Sequence, residues 1–103
     1  MAEHALRAQP TVQIDNARVR VTLWRFAPGA ATGWHRHEHD YVVVPLTTGK
    51  LLLKEPAGER ESPLEAGVAY TRPAGVEHDV VNANDHPFAF VEVEIRQATP
   101  DRT

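Results

Sequence analysis

The stretch GVAYTRPAGVEHDVVN, Gly67 to Asn82, holds two short runs, Gly67 to Arg72 and His78 to Asn82, parted by Pro73-Ala74-Gly75. Proline fixes its own φ and glycine takes backbone angles that tight turns need, so the trio reads as a turn that ends one strand and starts the next. That turn lets His78 face a bowl of antiparallel strands, while Glu77 and Asp79 alternate to the opposite, solvated face. Asn82 closes the stretch, where its amide is suited to securing a turn by side-chain hydrogen bonds. Arg72, just ahead of the turn, reads as a surface salt-bridge partner, with the steering of an anion as its alternative role.

Outward from this stretch the two-residue period of a half-buried strand recurs. Apolar and polar residues alternate in TVQI (Thr11 to Ile14), RVRVTLWRF (Arg18 to Phe26) and FAFVEVEI (Phe88 to Ile95). Continuous apolar runs fill YVVVPL (Tyr41 to Leu46) and KLLLKE (Lys50 to Glu55), and Thr47-Thr48-Gly49 between them reads as a hairpin loop. EPAGERESPLEAG, Glu55 to Gly67, is the most polar interior stretch and reads as a surface loop. The eight prolines and six glycines fall mostly between the runs, and no window sustains a helical period beyond a weak tendency in Ala2 to Ala8. About seven or eight short strands predict an all-β sandwich or barrel. With 103 residues and 42% hydrophobic content, the chain predicts one domain over residues 1–103, with flexible tails over about 1–10 and 97–103. Trp24, Phe26, Tyr70, Phe88 and Phe90 read as core, one or two of them lining the bowl.

Composition excludes several functions. The net charge of −3 comes from 14 acidic and 11 basic residues without a long block of either sign, so nothing marks a nucleic-acid or anionic-membrane partner. A small-molecule substrate is the expected partner. The absence of cysteine rules out disulfides, a thiolate nucleophile and Cys-based metal sites, leaving His, carboxylate or Tyr for any metal. No segment approaches the ~20 apolar residues of a membrane helix, and MAEHALRAQP lacks the apolar core of a signal peptide, so a cytoplasmic location is expected. The ribbon Thr11 to Phe26 would leave an apolar edge uncovered, which predicts a homodimer paired across it.

A second stretch, TGWHRHEHDYVVVPLTTG (Thr32 to Gly49), carries three of the six histidines at alternate positions. At the start of a strand His35 and His37 share a face, close enough to grip one ion, but a pair is an incomplete site and needs a distant third ligand. His39 has the same parity and is the fallback ligand; Glu38 and Asp40 alternate outward. The two stretches together resemble the cupin superfamily, in the form of a small single-domain cupin. Gly67, Pro73, Gly75, His78 and Asn82 fill every fixed position of the second cupin motif, Gly-x5-Pro-x-Gly-x2-His-x3-Asn. Gly29, His35 and His37 meet the first, with Gly49 one residue later than usual. Its glutamate is absent: Tyr41 or Val42 stands there, depending on the spacing. The resemblance implies a double-stranded β-helix, or jelly-roll barrel, in which His35, His37 and His78 bind one divalent transition metal. Iron is favoured, with manganese, nickel, zinc and copper as alternatives. HRHEHDYVVVPLTTGKL (His35 to Leu51) is also similar to small bacterial cupins linked to β-alanine degradation, which implies amine or amino-acid catabolism.

Without the glutamate, three neutral imidazoles leave the ion's +2 charge uncompensated, making it a stronger Lewis acid with open positions for an anionic, chelating substrate. Tyr41 is the candidate catalytic residue, hydrogen-bonding a ligand or walling the pocket; as a phenolate ligand it would first have to lose a proton with a pKa near ~10. The resulting expectation is a dioxygenase-like enzyme doing oxidative or Lewis-acid chemistry on a small carboxylated or hydroxylated metabolite. One alternative is a non-catalytic ligand-binding or regulatory module. The other is a metal-free isomerase or epimerase, which needs a His base beside an acid, whereas the inward positions offer Tyr41 and His39 but no carboxylate. Because imidazole ligates in its neutral form, metal affinity is expected to fall as pH drops through ~6.5.

Overall fold

Nine strands cross residues 6–96, the part of the chain that the computed structural model describes. They are β1 (Gln9–Asp15), β2 (Val19–Phe26), β3 (His35–Arg36), β4 (Asp40–Pro45), β5 (Gly49–Glu55), β6 (Gly58–Leu64), β7 (Tyr70–Arg72), β8 (Glu77–Asn82) and β9 (Phe88–Ile95). A five-stranded sheet has the order β1-β2-β9-β4-β7 and a four-stranded sheet the order β3-β8-β5-β6. Every pairing between these strands is antiparallel. The described residues contain no helix, and so none long and apolar enough to cross a membrane.

The core lies between the sheets because alternate residues of each strand turn inward. Phe26, Tyr41, Val43, Phe88 and Phe90 come from the five-stranded side and Leu51, Leu53 and Val80 from the other, with Trp24 and Tyr70 packed against them.

The connections differ from the expectation at two places. Thr47 and Thr48 do not make a hairpin, because β4 and β5 belong to different sheets. The segment crosses from one layer to the other, pinned where Thr47 Oγ1 accepts from Ala89 N–H at 3.2 Å and Thr48 Oγ1 from Ala66 N–H at 3.0 Å. Gly49 ends this crossing against Asn84, whose amide brackets Lys50; a Cβ on Gly49 would lie 2.6 Å from Asn84 Oδ1. The polar stretch after Glu55 is not a loop but mostly strand β6, joined to β5 by a two-residue turn in which Glu55 faces Gly58. β6 is an edge strand with Glu59, Arg60 and Glu61 all exposed, so no apolar run betrays it, and charges along an edge disfavour pairing with other chains.

Pro73-Ala74-Gly75 also crosses between sheets, from β7 to β8, with Gly75 at φ +96° and Asp40 Oδ1 accepting from Ala74 N–H at 2.8 Å. Asn82 fulfils the role expected of it. Its Nδ2 donates to the carbonyls of Ala27 (3.2 Å), Phe26 (3.3 Å) and His86 (2.9 Å), and its Oδ1 accepts from Asn84. At the N-terminus, Arg7 bridges Ala31 and Ala8 is buried, so neither a helix nor a flexible tail describes residues 6–10; residues 1–5 and 97–103 lie outside the described part.

Candidate metal centre

Two different devices bring three imidazoles together. β3 pairs with β8 in a register that sets His35 opposite His78, making them cross-strand neighbours. His37 is not on the same strand as His35, because β3 ends at Arg36 and the chain there leaves one sheet for the other. It is held by its backbone instead: His37 N–H donates to the Val76 carbonyl at 2.9 Å, and Gly75 N–H donates to the His37 carbonyl at 2.7 Å. The shared face expected from spacing is thus produced by a corner rather than by strand parity. His39, on the far side of that corner, is outside the cluster.

His37 Nε2 lies 3.0 Å from His35 Nε2 and 3.1 Å from His78 Nε2. Two nitrogens each about 2.0–2.1 Å from one ion, at angles between octahedral and tetrahedral, stand roughly 2.8–3.4 Å apart, so this spacing is that of neighbouring donors. His35 Nδ1 is 2.9 Å from the Gly33 carbonyl, which only accepts, so Nδ1 carries the proton and Nε2 presents its lone pair to the cluster. His37 and His78 are 5% and 4% exposed, and burial, reinforced by the facing His35, lowers their pKa values to about 3 and about 4. Both are therefore neutral well below the ~6.5 expected from an ordinary imidazole. The donor set fits a divalent transition metal.

Tyr41 is 2% exposed, and its ring stacks on His37 at 3.8 Å with 17° between planes. Its hydroxyl is buried without a hydrogen-bond partner, and burial pushes the phenol upward, away from phenolate. Tyr41, Tyr70, Arg72, His78, Phe90 and Glu92 line an inner cavity of about 20 Å³. A more open cleft of about 340 Å³, sharing His35 and Glu92 with that cavity, runs along Val12, Arg20, Trp24 and Arg36 to His37. Arg72 has the salt-bridge partner expected of it, its guanidinium standing 3.6 Å from Glu55, and it also lines the cavity. Asp79 and Glu77 are not merely solvated: they accept from Gly33 N–H at 3.0 Å and Trp34 Nε1–H at 3.3 Å, tying the start of β3 to β8.

One inward carboxyl escaped the sequence reading. Glu92, 9% exposed, accepts from Trp24 Nε1–H at 3.3 Å through Oε1 and places Oε2 3.8 Å from His37 Nε2. Burial pushes its carboxyl up to about 7. The signal was present in FAFVEVEI, where Glu92 shares the parity of Phe88 and Phe90 and so must point inward with them. The expectation that the bowl holds no carboxylate is therefore corrected.

The Cupin domain family matches residues 22–94, a span that contains all three imidazoles, Tyr41 and Glu92. Beta-alanine degradation protein BauB of Pseudomonas aeruginosa is 67% identical over 90 residues, covering 87% of this chain and 95% of that protein. Among solved structures, a cupin domain from Bordetella pertussis Tohama I is 62% identical with a TM-score of 0.89, covering 90% of this chain and 97% of that one. A Cupin 2 conserved barrel domain protein from Salinispora arenicola is 31% identical with a TM-score of 0.62, covering 85% and 73%.

Proposed function

The chain belongs to the cupin family, and from that premise we propose that it is an enzyme holding one divalent transition metal, iron before manganese, nickel, zinc or copper, on His35, His37 and His78. The observation that carries this reading is the convergence of the three Nε2 atoms, with His35 kept in the ligating tautomer by Gly33. When bound, such an ion supplies Lewis acidity and, for iron, redox capacity at the positions three imidazoles leave open.

The surrounding residues select a small substrate with a carboxylate or hydroxyl. Arg72 offers a guanidinium to an anionic end, and its 3.6 Å approach to Glu55 is loose enough to exchange for a better partner. The Tyr41 hydroxyl, without a partner in the protein, is free to bond a ligand in the inner cavity. That cavity has room for a group about the size of one water molecule, so the rest of a substrate would lie in the outer cleft, which shares Trp24, Thr32, His35 and Glu92 with it. Trp24, Tyr70 and Phe90 keep bulk water from the reacting end. Likeness to a protein named for β-alanine degradation supports a place in amino-acid catabolism. The uncovered edge of β1, exposed at all seven positions, supports a homodimer formed across it.

Elemental analysis of protein purified without added metal tests the centre, and oxygen consumption with small carboxylates tests the chemistry. His78→Ala should empty the site; a full equivalent of metal in that variant would overturn the ligand set. A metal-free proton-transfer role has one observation in its favour, the 3.8 Å between Glu92 and His37, and turnover by metal-stripped protein would select it.

A further inference from the structure

We propose that Glu92 supplies the carboxylate missing from the first motif, delivered from the neighbouring strand and set beside the imidazoles rather than among them. This rests on the metal reading above. β9 runs antiparallel to β4 with Glu92 opposite Val43 and Glu94 opposite Tyr41, so Glu92 is the diagonal neighbour of the tyrosine that occupies the motif's glutamate position. The side chain is anchored at one oxygen by Trp24 and directs the other to within 3.8 Å of His37 Nε2.

Charge supplies the second argument. Among the described residues no lysine or arginine stands within 4.0 Å of Glu92; Arg20 on β2, whose charge acts on it from further off, engages Glu94 at 4.0 Å. A carboxylate buried without a cation is costly. A divalent ion on the adjoining imidazoles provides the opposite charge at close range, so Glu92 and the ion stabilise one another. The carboxylate groups with His37 and Glu94 and not with the complete triad, which puts it outside the ligand set. There its free oxygen accepts a hydrogen bond from whichever donor, a water or a substrate O–H or N–H, occupies an open position. Glu92 is thus a positioning and charge-balancing residue for the centre.

The test is titration of metal-stripped protein with Co²⁺, read by calorimetry and by the visible d–d bands, alongside thermal unfolding of each apo form. Wild type should take one equivalent. Glu92→Gln keeps shape and an acceptor for Trp24 but removes the charge, and should bind the same equivalent about 10–100-fold more weakly, with the d–d band positions retained and apo stability not reduced. Glu92→Asp, which keeps the charge on a shorter arm, should recover part of the loss. Equal affinity in wild type and Glu92→Gln would overturn the role, and loss of all Co²⁺ binding by a folded Glu92→Gln would make Glu92 a direct ligand and overturn its placement. A wild type that takes no Co²⁺ would instead refute the three-histidine reading itself.

Discussion

Tyr41→Phe separates packing from chemistry at one atom. The substitution deletes a hydroxyl that is buried without a partner and leaves the ring stacked 3.8 Å over His37. An unpaired buried polar group costs about 1–3 kcal/mol, and the adjacent cavity admits a water that offsets part of this, so the variant should gain about 1 kcal/mol. In a chain of this size that gain raises Tm by about 4–8 °C. Function should move the other way. A hydroxyl that bonds the substrate contributes about 0.5–1.5 kcal/mol, so ligand affinity or turnover should fall by roughly tenfold or less. Metal content should not change, because burial has already driven the phenol away from phenolate. Thermal unfolding of the metal-stripped pair, with elemental analysis of the metal-loaded pair, reads both effects. A variant that melts several degrees below wild type would refute the unpaired hydroxyl, and loss of most of the metal would replace the three-histidine set with three histidines and a tyrosinate.

Asn82→Ala removes donors from three backbone carbonyls and an acceptor from Asn84 and should cost about 3–4 kcal/mol in urea unfolding, a loss under about 1 kcal/mol contradicting the network. In metal-stripped protein His37 and His78 titrate at about 3 and about 4, against an ordinary 6.5 when unfolded, so below 6.5 the unfolded chain binds protons that the folded one refuses. The stability these two groups contribute is complete above 6.5 and is lost as pH falls toward 4. Glu92, raised to about 7, works in the opposite direction, so Glu92→Gln should steepen the decline; urea midpoints from pH 7 to pH 4.5 that stay flat in both proteins would refute this. Light scattering should return twice 11.5 kDa at micromolar concentration, and Val12→Lys with Ile14→Lys on the exposed edge strand should return the single mass.

What the sequence disclosed, and what it hid, follows from what each signal measures. The Gly67 to Asn82 stretch predicted strand, turn and strand because proline and glycine act locally, and β7 and β8 flank that turn as expected. Strand periodicity reports which side chains meet water but not which strand lies alongside. Tyr41 to Leu46 and Lys50 to Glu55 were therefore legible as strands, while their separation into two sheets was not. β6 was hidden because an edge strand exposed at every position from Gly58 to Glu61 carries no apolar alternation there. At the centre, His35, His37 and His78 lie together as expected, joined by a route that spacing could not show, since a sheet-crossing corner replaces the assumed continuous strand. Glu92 was legible in principle, since it shares the parity of Phe88 and Phe90, which read as core; it was hidden by residue type, because a glutamate at an inward position runs against the general preference of carboxylates for water.

β9 is the last of the described strands and lies in the middle of the five-stranded sheet, between β2 and β4. During synthesis neither neighbour can be completed until residues 88–95 have emerged, so the sheet forms as one late event rather than strand by strand. His37 and His78, 41 positions apart, meet only when β8 has docked on β3, and Glu92 arrives with the final strand. A nascent chain thus offers a metal ion neither the triad nor the carboxylate. In zinc fingers the metal drives folding; here the three imidazoles come together only once β8 has docked on β3, so an ion held on them would follow folding rather than drive it.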